Sequence, residues 1–155
     1  GGLPELEPAA RQLAELLGLP LRSLTTLEDP SRALCTLDPS AASGGWLAAL
    51  PLDLGRSLAD GSCWADHLGA WAQPCLLVIT AAQLESGLPR AGAALLRQQQ
   101  VPLVGLLQQG GLWDGAARRT EGLPWLGQLP ETEAMNEMLA VALLGRWASL
   151  QSPRS

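Results

Sequence analysis

Two unbroken apolar runs separated by a helical pattern leave this chain few folds to adopt. Cys75-Leu-Leu-Val-Ile-Thr80 and Val101-Pro-Leu-Val-Gly-Leu-Leu107 are short, rich in branched residues and apolar at successive positions. Strands covered on both faces of a parallel sheet read this way. Between them, Pro89 to Gln100 has helical spacing, with proline where a first turn tolerates it. A βαβ unit is the consequence. Gly122-Leu-Pro-Trp-Leu-Gly-Gln-Leu-Pro130 is too short for a helix and ends in proline, which suits a third strand stopping at a loop. The expected fold is α/β: a single three-layer domain over residues 1–155 with a mostly parallel sheet.

The remaining elements are shorter. Leu6, Ala9, Ala10, Leu13, Leu16 and Leu17 recur at helical spacing behind an acidic start, with Gly18 as a stop, so residues 5–17 read as an amphipathic helix. Leu19 to Leu27 adds a short extended piece. Arg32 to Leu37, bracketed by turn signals, fits a short strand or a helical turn equally. Ser62 is placed to cap a helix from Cys63 to Trp71. Thr132 begins a helix to Leu150 with Met135, Met138, Leu139, Ala142, Leu143 and Trp147 along a core-facing stripe.

Composition excludes several chemistries. All ten basic residues are arginine, so a phosphate-loop lysine, a Schiff-base lysine and a lysine general base are absent from these 155 residues. With no tyrosine, tyrosine acid/base chemistry is excluded as well. The formal charge of −5, with basic residues scattered, argues against a nucleic-acid or anionic-membrane surface. Cys35, Cys63 and Cys75 form no paired motif, and His67 is the sole histidine, so neither a zinc site nor a disulfide framework is indicated. No metal ligands and no catalytic residues are assigned. No leader is evident and no apolar run reaches the length of a membrane span, so the chain reads as soluble and cytoplasmic. It begins without methionine, as a fragment or processed chain does.

Candidate ligand positions follow from the sheet. Loops at the C-terminal ends of parallel strands bind ligands, which singles out residues 81–88. Gly44-Gly45 lets main-chain N–H groups approach an anion, or is an ordinary turn. His67 is the only group expected to switch near neutral pH; with no metal partner or recognisable triad beside it, a hydrogen-bonded or solvated position on a helix face is expected. Arg118-Arg119 suits phosphate pairing or a solvated face.

These segments resemble the C-terminal part of dethiobiotin synthetase, a member of the deviant P-loop group. Trp64 to Ile79 is similar to that family's helix and strand leading to the substrate loop, Val101 to Gln109 to its next strand, and Leu123 to Pro130 to its closing strand and loop. Ala14 to Leu21 is similar to a segment that there follows the phosphate loop. The resemblance implies ATP and magnesium as cofactors in carboxylating a diamino acid and closing it into a cyclic urea, a step of biotin biosynthesis. It places the diamino-acid substrate near Leu84, Glu85, Ser86, Gly87 and Leu88, and puts Gln109 at the position of an adenine-reading asparagine. It borders the adenine with Leu129, Pro130 and Glu131, and matches Gly44-Gly45 to the family's glycine-rich loop. The acidic residue before those glycines is replaced by Ala41-Ala42-Ser43, and the phosphate loop with its lysine is missing. The chain is therefore expected to be the C-terminal portion of a larger P-loop domain, inactive as an isolated ligase. The alternative is a catalytically silent relative acting as a binding or assembly module, whose tryptophans and leucines suit pairing as a homodimer.

Overall fold

The computed structural model describes residues 3–24, 27–37, 45–129 and 133–151. Its chain forms two compact units, residues 1–67 and 68–155. Among the described residues it is mixed α/β, with six α-helices and two small sheets, both wholly parallel.

The first unit opens with α1 (Leu3–Leu17), where Ala9, Ala10, Leu13 and Ala14 are buried. Gly18, at φ 65°, ends it in a Schellman motif: Leu19 N–H donates to Ala14 O at 2.9 Å and Gly18 N–H to Glu15 O at 3.3 Å. β1 (Leu21–Arg22) follows. The ambiguous segment after it is helical, α2 (Pro30–Thr36), with Asp29 Oδ1 accepting the Arg32 N–H at 3.1 Å and Pro30 in the first turn. Local capping settles what an apolar run of six residues leaves open. β2 (Leu47–Ala48) pairs parallel with β1, Leu21 opposite Leu47. α3 (Trp64–Ala70) is anchored by buried Trp64, whose indole N–H donates to Leu27 O at 2.8 Å.

Ser62 does not cap α3 as expected. The Cys63 N–H is instead satisfied by Asp66 Oδ2 at 2.8 Å, the reciprocal arm of a capping box, while Ser62 Oγ turns to side chains.

In the second unit the βαβ expectation is met. β3 (Cys75–Thr80), α4 (Leu88–Gln98) and β4 (Leu103–Gln109) come in order, and α5 (Gly115–Thr120) and β5 (Trp125–Gln128) complete a sheet ordered β3-β4-β5. The central strand is the apolar one for a physical reason. β4 has neighbours on both edges and helices packed on it, so Val104 to Gln108 are buried in succession, whereas β3 and β5 are mostly half-buried. β4 starts two residues later than its apolar run because Val101 still belongs to the end of α4. Its N–H donates to Leu96 O at 2.9 Å, in a Schellman motif with Gln100 left-handed at φ 59°.

Leu126 bulges out of the β4–β5 pairing, since Leu106 faces Trp125 while Leu107 faces Gly127. Gly105 makes room for it, as a Cβ there would lie 2.6 Å from the Leu126 Cγ. α6 (Glu133–Gln151) packs on β4 and β5 through buried Leu139 and Leu143. Of its expected stripe, Leu139 and Leu143 are buried and Ala142 and Trp147 half-buried, and Met138 departs from it. Met138 is 77% exposed and lies outward with Val141 and Leu144, because α6 is apolar around much of its circumference and periodicity alone cannot choose a face. Met135 lies outside the residues whose side chains are described.

Candidate ligand edge of the parallel sheet

Parallel pairing brings the C-terminal ends of β3, β4 and β5 to one edge. In register, Thr80 lies opposite Gln109, and Gln108 opposite Gln128. Three glutamines and a threonine thus meet where the strands stop.

Alternation along β4 sends adjacent glutamines opposite ways. Gln108 is 0% exposed and Gln109 is half-buried. The Gln108 amide nitrogen donates to Gly110 O at 2.9 Å and Leu112 O at 3.1 Å, and two carbonyl partners fix which end of the amide is which. Its Oε1 is buried without a partner. Gln128 Nε2 donates to Gly111 O at 2.6 Å.

These bonds pull the chain after β4 back across the strand ends. The fold-back needs two consecutive left-handed residues, Gly110 at φ 75° and Gly111 at φ 71°, and a Cβ on Gly111 would stand 2.9 Å from that of Ala81. Only glycine fits there. Leu129 is buried just past β5, and its N–H donates to Gln108 O at 2.8 Å. Pro130 and Glu131, expected to border the same place, lie outside the described residues.

After β3 the chain makes one tight turn, Ala81–Gln83, in which Gln83 Oε1 accepts the Thr80 N–H at 3.0 Å. Ser86 Oγ donates to Gln83 O at 2.6 Å and accepts the Leu88 N–H at 3.2 Å, and Gly87 caps α4. The expected substrate segment therefore does stand at this edge, beside a helix start. Leu84 is half-buried, and Glu85, Ser86 and Gly87 are exposed. Glu85 carries the only formal charge in residues 80–88, 108–113 and 128–129. Gly45, at φ 91°, directly precedes Trp46 and β2 in the first unit, and Gly44 lies outside the described residues.

Arg118 and Arg119 part company. Arg119 is exposed, but Arg118 is drawn inside by aromatic rings: its guanidinium lies 5.3 Å over Trp125, which meets Trp113 edge to face at 6.0 Å. Glu121 completes the cluster, accepting the Trp125 indole N–H at 2.7 Å. Arg118 Nη1 is 2.8 Å from Glu121 Oε1, an ion pair by distance although no N–H is aligned for a hydrogen bond. This arginine is held by its own neighbours and is not a free phosphate clamp.

Gln108, Gln128 and the Gly110-Gly111 fold-back, not expected from the sequence, belong to the same edge. The signal was present as Gln-Gln-Gly-Gly at a strand end, since adjacent strand residues point to opposite faces and paired glycines permit the reversal. Among the described residues no group of three His, Cys, Asp or Glu side chains is placed to hold a metal ion, and no helix is long and apolar enough to cross a membrane. No protein-family model matches the chain, and neither a curated protein nor a solved structure does.

Proposed function

We propose that this edge binds a purine nucleotide, in a dethiobiotin-synthetase-like protein whose 155 residues supply recognition without the catalytic parts of the ATP-dependent ligase. The observation that carries the reading is the gathering of neutral amides at the ends of neighbouring parallel strands, Gln109 beside Thr80 and Gln108 beside Gln128. A carboxamide matches the paired donor and acceptor on an adenine edge. Gln109, half-buried at the last position of β4, is the residue of this reading for the base, and Leu129 supplies apolar surface.

The donor set fits the base and not the far end of the nucleotide. Phosphoryl transfer needs cations around the phosphates, and these residues include no lysine, while Arg118 is engaged with Glu121 and Trp125. Binding without turnover is the expected behaviour. Titration calorimetry with ATP and magnesium should give a dissociation constant of about 1 mM or tighter, and Gln109→Ala should weaken it about tenfold or more. Absence of both heat and thermal shift with ATP, ADP and GTP would sink the nucleotide assignment.

A second reading, a silent relative acting as an assembly module, is favoured by the outward apolar residues of α6. Met138 is 77% exposed and Val141 72%. Sedimentation velocity separates the two: a homodimer broken by Val141→Glu with no nucleotide binding supports assembly.

A further inference from the structure

The first unit contains a chain of hydrogen bonds unrelated to the strand-end edge. Ser31 Oγ lies 3.1 Å from His67 Nδ1, Ser62 Oγ lies 3.0 Å from His67 Nε2, and Ser62 Oγ lies 2.6 Å from Asp60 Oδ1. The direction of every proton in it can be assigned. Asp60 is an acceptor as a carboxylate, so the single hydroxyl proton of Ser62 goes to Oδ1. Ser62 Oγ must then accept from His67, which puts the ring proton on Nε2 and leaves Nδ1 as a lone pair. With the ring neutral, Ser31, the partner at Nδ1 among the described residues, donates its hydroxyl proton there.

That order of donors is a nucleophile beside a base whose tautomer is set by a third group, within the 2.6–3.2 Å reach such pairs need. Asp60 is kept ionised for the part. The Ser62 side-chain and main-chain hydrogen bonds hold its carboxyl below the usual aspartate range, with the imidazole adding a smaller pull. Ser31 is exposed in the first turn of α2 and is open to a substrate.

We propose that Ser31 is an acyl-accepting nucleophile, activated by His67 and oriented through Ser62 and Asp60, and that its substrates are small carboxylic esters with good leaving groups. Oγ attacks the ester carbonyl while its proton passes to Nδ1. The imidazolium so formed keeps its Nε2 bond to Ser62, with the Asp60 charge beyond. Collapse of the addition intermediate breaks the bond to the alkoxy group, which leaves with the proton from Nδ1 as the alcohol. Water, deprotonated by the same Nδ1, then releases the acid and restores the Ser31 hydroxyl. The network supplies a base and its orientation, and an ester with a good leaving group asks for little more.

The test is labelling with a fluorophosphonate, which phosphonylates activated serines with loss of fluoride, followed by peptide mass mapping. It is run in a Cys35→Ala background, because that exposed thiol lies one helical turn from Ser31 on the same face of α2. Ser31 should carry the label, and His67→Gln should slow labelling by about a hundredfold or more, the usual size of general-base assistance. Ser62→Ala leaves the ring in place but unties its tautomer, so it should slow labelling too, with recovery in Ser62→Thr. An unlabelled Ser31, or equal rates in the parent and His67→Gln, overturns the proposal. Equal rates in the parent and Ser62→Ala overturns the part given to Ser62 and Asp60. Turnover of p-nitrophenyl acetate that survives Ser31→Ala overturns it as well.

Discussion

The strand-end edge of residues 68–155 and the imidazole chain of residues 1–67 gather polar groups in opposite ways. At the edge, glutamine amides are tied to main-chain carbonyls, with Gln108 fully buried and the glycine loop drawn over it. Around His67 the partners are side chains, two hydroxyls and a carboxylate, on residues mostly open to solvent. Amide-to-carbonyl bonds fix shape and carry no titrating proton. Hydroxyl, imidazole and carboxylate in series fix the direction of a proton and contribute little to stability, because water competes for every exposed partner. Recognition and reactivity thus draw on different bonding, even where both are built on tight turns.

Mutating each region sharpens that contrast. Gln108→Ala removes two buried hydrogen bonds and opens a small void, so it should cost about 2 kcal/mol in urea unfolding. Ser62→Ala, at the centre of the other chain, should cost no more than about 0.5 kcal/mol while still slowing labelling of Ser31. Equal costs would break the comparison.

Helix ends offer a smaller test. α1 ends on left-handed Gly18, but Ala72 at φ 49° follows α3 and Gln100 at φ 59° follows α4. At Ala72 the same Schellman pair is present, Gln73 N–H to Leu68 O at 2.9 Å and Ala72 N–H to Gly69 O at 3.0 Å. A side chain in this conformation costs roughly 1 kcal/mol that glycine escapes, so Ala72→Gly should stabilise by about that amount. A loss of stability would show that the Ala72 methyl is worth more where it is than the strain it carries.

A further contrast concerns thiols. Cys35 is exposed in the first unit, whereas the Cys75 thiol is enclosed at the start of β3, donating to Gln73 O at 3.3 Å, and burial pushes its pKa up to about 12. Iodoacetamide should modify Cys35 and spare Cys75 until the chain unfolds. The sign of the pH effect follows from linkage. Between 9.0 and about 12 the unfolded thiol loses its proton while the folded one keeps it, so the Cys75 contribution is complete below the lower value and fades as pH rises through the upper. Melting curves of Cys75→Ala should lose that alkaline slope.

Much of the fold was legible because its signals are local. The apolar runs at Cys75 and Val101, the proline at 89 and the stop at Gly18 each act within a few residues, and the structure puts β3, α4, β4 and the end of α1 there. Segments 32–37 and 132–150 were harder. In the first, Asp29 capping chose helix over strand; in the second, an apolar circumference drew the outward-facing Met138 into the expected core stripe. The candidate edge was half visible. Gln109 and residues 84–87 stand at the strand ends, while the inward turn of Gln108 and the glycine fold-back depend on strand register.

His67 marks the division most sharply. Sequence singled it out as the sole histidine and showed no metal partner or recognisable triad beside it. Ser31 is 36 residues away, and neither pattern nor spacing links them. The sequence by itself determined the long first and last helices, the βαβ unit of residues 75–107 with its parallel strands, and the absence of lysine chemistry from these residues. Tertiary structure alone decided which glutamine is buried, which arginine is held by aromatic rings, and which two serines meet the imidazole. Those choices rest on contacts between distant residues, whose geometry is set by packing and register rather than by local preference.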